Sequence, residues 1–214
     1  MLIDQAVVRA LFKEHSVAIK GVLHVGAHKC EEKAFYNSCG VEDKDIVWVD
    51  ANPMLTADNI ARGIPNCYTS VLDEVERDTM FHITNNNQSS SLLEFGTHAK
   101  SYPWCVVTDS VKVHTETLSQ FFSNRGIDPA RYNVWNFDIQ GVELQVFRGS
   151  QELLKHADII YAEVNTADVY KGCGKLNELD ALLKEHGLTR VLTKMTSEHW
   201  GDAIYVRKAG GAVY

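Results

Sequence analysis

The sequence predicts an α/β fold in which helices cover both faces of a mostly parallel, doubly wound sheet. Short apolar runs typical of strands alternate with stretches of helical periodicity along most of the chain. The run at 45–50, DIVWVD, is apolar on both faces of an extended chain, as a buried central strand should be. The last two runs, at 188–195 and 202–208, have no helix between them, so one edge of the sheet should be antiparallel.

The predicted sheet has seven strands, at 21–25, 45–50, 67–71, 132–138, 158–164, 188–195 and 202–208. The predicted helices lie at 1–18, 29–40, 54–62, 117–126, 140–149 and 176–187. Ile3, Val7 and Leu11 fall at i, i+4 and i+8 and should form the buried stripe of the first helix. The T-x-x-Q sequence at 117–120 predicts a capping box, and Ser150 should cap the turn that follows it.

A polar segment at about 75–115 interrupts the alternation, and we interpret it as an insertion within one domain that spans 1–208. Its runs at 79–83 and 110–115 predict two further strands, joined by a long connection rich in Asn and Ser. Loops held on a rigid sheet commonly carry specificity, so we assign the insertion to a bound substrate. The last six residues, 209–214, are small and Gly-rich and are expected to be disordered.

The composition and net charge of the chain limit the classes of function that it can have. A chain of 214 residues with 45% hydrophobic residues fits one globular domain. The net charge of −7 disfavours a nucleic-acid partner, because excess Lys and Arg normally supply binding to the phosphate backbone. No apolar run approaches membrane-spanning length, and the N-terminal segment lacks the apolar core of a signal peptide, so a membrane is not expected as a partner. Five scattered cysteines without a C-x-x-C pair predict reduced thiols and a cytoplasmic location, while the oligomeric state stays open.

The ends of the first two predicted strands suggest a nucleotide-like ligand. Gly26 ends the first strand within GVLHVGAHKCEE, and Asp50 ends the second. Ligands of open α/β sheets bind at the carboxyl ends of the strands, and an acid at this spacing can accept both hydroxyls of a ribose. Asn52 and Pro53 should form a turn that holds Asp50 in place. The alternative is that Gly26 only makes a tight turn and that Asp50 is a solvated strand end.

The residues after Gly26 argue against a phosphate. A dinucleotide site needs G-x-G-x-x-G, whereas this chain has G-A-H-K-C-E, with one glycine followed by Glu31 and Glu32. These acids suit the N-terminus of a helix but would repel a phosphate there. A ligand with ribose and adenine and no phosphate fits better, and S-adenosylmethionine, whose sulfonium is cationic, is such a ligand.

A second candidate segment is FDIQGVELQVFRG, at 137–149. Asp138 ends a buried strand that should lie beside the first one, so its carboxylate should face the same crevice as Gly26. Glu143 follows in the turn into a helix. The alternative is that Asp138 and Glu143 only cap that helix, which is a common arrangement.

Six segments together resemble the FkbM-type family of S-adenosylmethionine-dependent methyltransferases. They are HVGAH, WVDANP, NNQSSSLL, TLSQFF, DIQGVELQVFRGS and YAEV, and the similarity spans about 20–207. The resemblance implies a Rossmann-like class I methyltransferase fold and, typically, O-methylation of sugars or related hydroxyls. The chain departs from the family pattern at His24, where an acid is common, and at His28, where Asn is common. Asp50 stands where many relatives carry Glu.

This interpretation assigns residues to three roles. The predicted cofactor residues are Gly26, Ala27, His28, Asp50, Ala51, Asn52, Val71 and Asp138. A hydroxyl is a poor nucleophile and needs a base to remove its proton, for which Asp138 is the first candidate, followed by Glu143 and Glu163. The resemblance implies that Ser90 and Ser91 contact a small-molecule or glycan acceptor. His98 is a further acceptor candidate, although its sequence context predicts an exposed loop histidine.

Two other activities and two metal sites remain open from the sequence. The fold could serve as a cofactor- or glycan-binding module without catalysis, as the altered HVGAH loop suggests. A nicotinamide-dependent reductase is disfavoured by the missing glycines. His24, His28 and Cys30 could be drawn as zinc ligands, and the three candidate carboxylates could bind a divalent cation, but neither pattern establishes a metal.

Overall fold

A seven-stranded mixed sheet forms the centre of the computed structural model, which describes residues 1–208. The strands of the described chain are β1 (Val22–Val25), β2 (Ile46–Asp50), β3 (Cys67–Thr69), β4 (Asp78–Thr84), β5 (Val107–His114), β6 (Val134–Phe137), β7 (Ile159–Asn165), β8 (Leu188–Met195) and β9 (Trp200–Arg207). Their order in the main sheet is β3-β2-β1-β6-β7-β9-β8, while β4 and β5 pair separately. The predicted tail at 209–214 lies outside the described residues.

The pairing of the strands confirms a parallel sheet with an antiparallel edge. β3, β2, β1, β6 and β7 run parallel to one another, whereas β9 is antiparallel to both β7 and β8. The chain winds outward from β1 through β2 to β3 and then returns to place β6 on the other side of β1. The order therefore reverses between β1 and β6, and ligands of doubly wound sheets bind at such a switch point.

Helices cover both faces of the sheet. They are α1 (Gln5–Glu14), α2 (Lys33–Ser38), α3 (Pro53–Ala61), α4 (His98–Ser101), α5 (Leu118–Arg125), α6 (Glu143–Arg148) and α7 (Leu176–Glu185). Successive side chains of a strand point to opposite faces, so Leu23 of β1 packs in one core with α5, α6 and α7. Val22 of β1 and Trp48 of β2 pack in the other core, with α1 and α2.

One predicted helix cap is confirmed, whereas a second predicted cap and the predicted buried stripe of α1 are wrong. Thr117 and the glutamine three residues later form a reciprocal capping box at the start of α5. Ser150 does not cap the turn after it, because its hydroxyl accepts the backbone N–H of Ser119 instead. The predicted stripe of α1 is also wrong: Val8 is buried and Val7 is exposed. Ile3, from which the stripe was counted, precedes the helix and does not share its periodicity.

The insertion forms a small antiparallel sheet of its own. β4 pairs with β5, and the connection between them includes α4. This connection returns to the main domain, where Phe95 forms an isolated bridge with Tyr170, just after β7. The insertion is thus attached to the carboxyl-end side of the main sheet and not only to its own hairpin.

The surroundings of Gly26 explain why the buried strand β1 is followed by a glycine. Its φ is +84°, and a Cβ placed on it would lie 1.8 Å from the carbonyl oxygen of Asp138. The group that approaches this glycine is therefore the backbone that follows β6, and not a ligand. The backbone N–H of Gly26 donates to Val49 of β2 at 2.9 Å, and that of Asp138 donates to Val25 at 3.0 Å. These bonds join the ends of β1, β2 and β6.

We expect Gly26→Ala to destabilise the fold by more than about 3 kcal/mol, because the new methyl group overlaps backbone that cannot move independently. Gly40→Ala is the matched control, since φ at Gly40 is +89° and nothing lies within 4 Å of an added Cβ. Its expected loss is about 1–2 kcal/mol, from the left-handed backbone alone. Urea unfolding of both variants measures the difference. Equal losses would show that the contact with Asp138 does not constrain the strand ends.

Candidate functional site

Two adjacent cavities that share part of their lining lie at the carboxyl ends of β1, β2 and β6, and a third, of about 620 Å³, lies beside them against β3, β4 and β5. The narrow cleft, of about 70 Å³, lies beside β2 and is lined by residues that include Asp50, Val71 and Phe81. The large cavity, of about 530 Å³, lies over β6 and β7 and is lined by residues that include Glu163 and Trp200. Five residues border both cavities: Gly26, His28, Gln88, Asp138 and Gln140.

All eight predicted cofactor residues line one cavity or the other. Seven line the narrow cleft, and Ala27 lines the large cavity. The carboxylate of Asp50 accepts the backbone N–H of His28 at 2.7 Å and that of Asn52 at 2.8 Å. Asn52 also caps α3 by accepting the N–H of Met54, which is the turn that the sequence predicts after Asp50. Burial raises the pKa of Asp50, whereas the two N–H donors act in the opposite direction.

The side chain of one glutamine, Gln140, bridges Asp138 and Glu163 by hydrogen bonds at the junction of the two cavities. The Nε2 of Gln140 donates to Asp138 Oδ1 and to Glu163 Oε2, both at 2.7 Å. The hydroxyl of Tyr170 donates to the amide oxygen of Gln140 and fixes the direction of that amide. Gln140 itself has a φ of +58°, which places its side chain between the two acids. The glutamine therefore sets the position of the carboxylate that borders both cavities.

The surroundings of both acids raise their pKa values. Burial raises the pKa of Glu163 well above its usual range, and the neighbouring charge of Asp138 raises it further. Burial also raises the pKa of Asp138, while the charge of the N-terminal ammonium and the hydrogen bonds to Gln140 and Glu163 act in the opposite direction. These directions favour a proton on Glu163 and the charge on Asp138.

Glu143 has a different position from the other two predicted catalytic acids. It lines neither cavity, and its carboxylate accepts the backbone N–H of Ile139 at 2.8 Å and that of Gly141 at 3.0 Å. Burial raises its pKa to about 8. These contacts match the alternative in which Glu143 holds the turn that leads into α6.

Two of the three residues assigned to the acceptor line a cavity, and the third binds the protein backbone instead. Ser90 lines the narrow cleft, whereas Ser91 lines neither cavity and donates to the carbonyl of Gln140 at 2.8 Å. The expectation that His98 is an exposed loop residue is wrong, since His98 is 6% exposed and lines the large cavity. It stacks on Phe95 at 4.3 Å between ring centroids, and its backbone is tied to Val169.

His24 belongs to a buried chain of hydrogen bonds beside the large cavity. The amide nitrogen of Asn136 donates to Tyr36 at 2.9 Å, and the Tyr36 hydroxyl lies 3.0 Å from His24 Nδ1. Burial lowers the pKa of His24 to about 3, so the ring is neutral at ordinary pH. A neutral ring accepts the Tyr36 proton at Nδ1. Within residues 1–208, no group of three or more His, Cys, Asp or Glu side chains is placed to hold a metal ion.

Three residues of this site had no role assigned from the sequence. They are Gln140, Asn136 and Tyr170. Gln140 lies between Asp138 and Gly141 in the motif at 137–149. Its position next to a glycine, in a turn from strand to helix, is the sequence feature that could indicate a functional role. Tyr170 gave no such signal, because only the return of the insertion toward 167–170 brings it to the cavity.

The description of the matching family is "Methyltransferase FkbM domain", and the match covers residues 21–188. The chain belongs to the FkbM methyltransferase family. This membership confirms the predicted family, activity class and cofactor: the protein is an S-adenosylmethionine-dependent methyltransferase. The reductase alternative is therefore wrong.

Solved structures that are similar to this chain include two described as methyltransferases. Magnesium protoporphyrin IX methyltransferase (ChlM) from Synechocystis PCC 6803, with bound SAH, gives a TM-score of 0.51 at 10% identity, over 95% of this chain and 82% of that one. A SAM dependent methyltransferase from Aquifex aeolicus gives a TM-score of 0.38 at 11% identity, over 96% and 90% of the two chains. The first likeness supports the class I methyltransferase fold. No curated protein sequence is significantly similar to this FkbM methyltransferase.

The cavities of this FkbM methyltransferase fit a cationic cofactor without phosphate. Neither cavity is lined by a Lys or Arg side chain of the described residues, and the Met1 ammonium at the large cavity already lies 3.7 Å from Glu32, so a pyrophosphate would find no Lys or Arg partner there. The narrow cleft instead offers Asp50 at a strand end and apolar walls that include Leu72 and Val142. In the described chain, no helix has both the length and the apolar character needed to cross a membrane.

We expect the buried His24 to make stability depend on pH. Its pKa is 6.5 when unfolded and about 3 when folded, so below pH 6.5 the unfolded chain binds a proton that the folded protein does not. The free energy of unfolding should therefore fall as pH decreases from 6.5, by up to about 1.4 kcal/mol per pH unit from this residue. His24→Gln should remove that component, and His15→Gln, at an exposed position, should not.

Urea titrations of both variants and the wild type between pH 7 and pH 4.5 measure this difference. Identical pH slopes for wild type and His24→Gln would contradict a neutral, buried His24.

Proposed function

We propose that this protein is an O-methyltransferase that acts on a hydroxyl of a sugar, a glycan or a related small molecule. The observation that carries the proposal is the position of Asp138, the one carboxyl-bearing residue of the described chain that borders both cavities. A cofactor in one cavity and an acceptor in the other would meet at this carboxylate. A hydroxyl acceptor needs a base at that meeting point, whereas an acceptor that is already a good nucleophile does not.

The narrow cleft is the proposed place for the adenosine part of the cofactor. Asp50 keeps lone pairs beyond the two that accept backbone N–H groups, and these would accept the ribose hydroxyls. The apolar side chains of Val71 and Phe81 would contact the adenine. Ala51 and Asn52, beside Asp50, complete this part of the cleft.

The residues at the junction would carry out the proton transfer. When bound, S-adenosylmethionine supplies an electrophilic methyl group attached to a sulfonium. Asp138 would take the proton of the acceptor hydroxyl as the oxygen forms its bond to carbon. Gln140 holds the Asp138 carboxylate in place, and the proton on Glu163 keeps the second acid neutral. Much of the rate would come from this alignment.

We expect Asp50→Ala to weaken binding of S-adenosylmethionine by about 10- to 100-fold, because charge-assisted hydrogen bonds to the ribose are lost. Asp58→Ala is the control, since Asp58 lies on the adjacent helix α3 with a side chain that is 59% exposed. Calorimetric titration of S-adenosylmethionine into each variant measures the effect, and circular dichroism checks that both are folded. Equal affinities for the two variants would count against the ribose contact.

We expect Asp138→Asn to lower kcat by at least about 100-fold, since a neutral amide cannot accept the proton. Glu163→Gln should be much milder, because the amide mimics a protonated acid and can still donate to Asp138. In the wild type, kcat should fall as pH decreases through the raised pKa of Asp138, since only the ionised form is a base. A severe Glu163→Gln and a mild Asp138→Asn would reverse the two roles.

The measurement is the formation of S-adenosylhomocysteine with hydroxyl compounds as acceptors, together with the affinity for S-adenosylmethionine. Cofactor binding by the wild type without methylation of any acceptor in a broad glycan and small-molecule screen would instead support a binding module without catalysis.

A further inference from the structure

The ring of His98 is held in a fixed position in the wall of the large cavity. It stacks on Phe95 with ring centroids 4.3 Å apart, and the rings of Tyr102 and Tyr170 lie 5.0 Å and 5.5 Å away. The backbone N–H of His98 donates to the carbonyl of Val169 at 3.2 Å. Because aromatic rings cover the imidazole and the backbone is bound, only an edge of the ring is left to face the cavity.

The two ring nitrogens of His98 have different surroundings. Nδ1 is buried and has no hydrogen-bond partner within residues 1–208. The residue nevertheless lines the large cavity. The edge of the ring that carries Nε2 is therefore the part that reaches the cavity and is available to a ligand.

These surroundings determine where the ring proton lies. A neutral imidazole has one N–H donor and one acceptor nitrogen. A buried N–H without a partner is rarer in proteins than a buried acceptor without one, so the proton belongs on Nε2. Burial lowers the pKa of His98, and a second proton would have to lie on the partnerless Nδ1. His98 thus presents a neutral N–H donor to the cavity, and its free lone pair is buried, so it is not placed to act as a base.

His98 and the proposed base are connected through Tyr170. The hydroxyl of Tyr170 donates to the side chain of Gln140, whose Nε2 donates to Asp138 at 2.7 Å. The ring of the same tyrosine packs against the ring of His98. Both His98 and Asp138 line the large cavity. An acceptor whose reacting hydroxyl lies at Asp138 can therefore extend toward His98 within one cavity.

We propose that His98 is an acceptor-binding residue whose Nε2–H donates to a second oxygen of the acceptor, while the hydroxyl that is methylated lies at Asp138. This proposal rests on the proposed O-methyltransferase function and narrows the acceptor to a compound with at least two oxygen groups, such as a sugar ring. The wall beside His98 suits the apolar face of such a ring, since the indole of Trp200 and the ring of Tyr102 are joined there by a hydrogen bond of 2.8 Å.

A donor in this position discriminates between acceptors. An acceptor that lacks the second oxygen would leave the Nε2–H without a partner, and an unpaired polar group in a buried site is costly. Sites that bind a substrate group by hydrogen bonds reject an analogue without that group more strongly than sites that only pack against it. The second oxygen is thus a requirement and not only an additional contact.

The test uses methyl hexopyranosides with the full chain saturated with S-adenosylmethionine, read by formation of S-adenosylhomocysteine. Methyl glucoside, galactoside and mannoside are each compared with their monodeoxy derivatives. We expect removal of one hydroxyl other than the methylated one to lower kcat/KM by about tenfold, which corresponds to about 1.4 kcal/mol. In His98→Phe, which keeps the stacking and removes the donor, the same deletion should have no further effect. Equal kcat/KM for all compounds that keep the methylated hydroxyl overturns the proposal.

Three substitutions distinguish a donor from a base. The amide nitrogen of His98→Gln reaches about as far as Nε2 and can donate, whereas that of His98→Asn reaches only about as far as Nδ1. We expect His98→Gln to keep kcat/KM near that of the wild type, and His98→Asn and His98→Phe to lower it by about tenfold, mainly through KM. A loss of kcat in His98→Gln as large as that in Asp138→Asn would assign the base to His98 and overturn the proposal.

His82→Phe is the matched control. His82 lies on β4 of the same insertion, its Nδ1 is 2.9 Å from the hydroxyl of Ser110, and it lines none of the three cavities. We expect kcat and KM to stay unchanged in this variant. A loss equal to that of His98→Phe would show that the effect arises from the fold of the insertion, and would overturn the assignment.

The position of the ring proton is measured on the wild-type protein and so does not depend on the folding of a variant. Long-range ¹H–¹⁵N spectra, assigned through the backbone of His98, should show a protonated Nε2 and an unprotonated Nδ1 at neutral pH. A proton on Nδ1, or a cationic ring, overturns the donor role.

The outcomes separate this proposal from the proposed function. Turnover of phenols or alcohols with a single oxygen that equals or exceeds turnover of the glycosides, with loss in Asp138→Asn, overturns the role of His98 and leaves the O-methyltransferase activity intact. Cofactor binding without turnover of any hydroxyl compound overturns both.

Discussion

The contact between Gly26 and the carbonyl of Asp138 is the constraint on which the site depends. It brings the ends of β1 and β6 closer than any residue with a side chain would allow. The backbone N–H groups of Gly26 and Asp138 then bind the neighbouring strands, so the two ends form one rigid unit. The carboxylate of Asp138 is consequently fixed on the boundary between the narrow cleft and the large cavity. A site that relies on alignment requires this rigidity.

The insertion completes this unit and does not merely cover it. Ser91 donates to the backbone carbonyl of Gln140, and the Tyr170 hydroxyl that donates to the Gln140 side chain lies 3.3 Å from the carbonyl oxygen of Ser89. The proposed base is therefore positioned by Gln140, which is in turn positioned by the insertion and by the segment after β7. A displacement of the serine loop would shift the Asp138–Glu163 pair. On the proposed assignment, acceptor binding at the serine loop would be coupled to the position of the base.

The sequence predicted the sheet, its antiparallel edge and the location of the cleft, because apolar periodicity and strand ends are local features. It did not predict features that depend on long-range packing. His98 is polar and lies in a polar loop, yet it is buried because the insertion folds back onto Val169. Ser150 has the chemistry of a cap, but its hydroxyl accepts the N–H of Ser119, which is 31 residues away along the chain. The glycine at the end of β1 was correctly singled out, although a neighbouring backbone and not a ligand requires it.

The motif D-I-Q-G-V-E at 138–143 shows why residue type alone does not fix a role. Asp138 and Glu143 are both buried, and burial raises the pKa of both. Asp138 follows the end of a strand and borders the cavities, so its charge is available to a ligand. Glu143 is the first residue of α6 and turns back onto Ile139 and Gly141, so its oxygens are used by the backbone. Asp138 and Glu143 are only five residues apart, yet Asp138 is a candidate base and Glu143 holds the loop that follows Asp138.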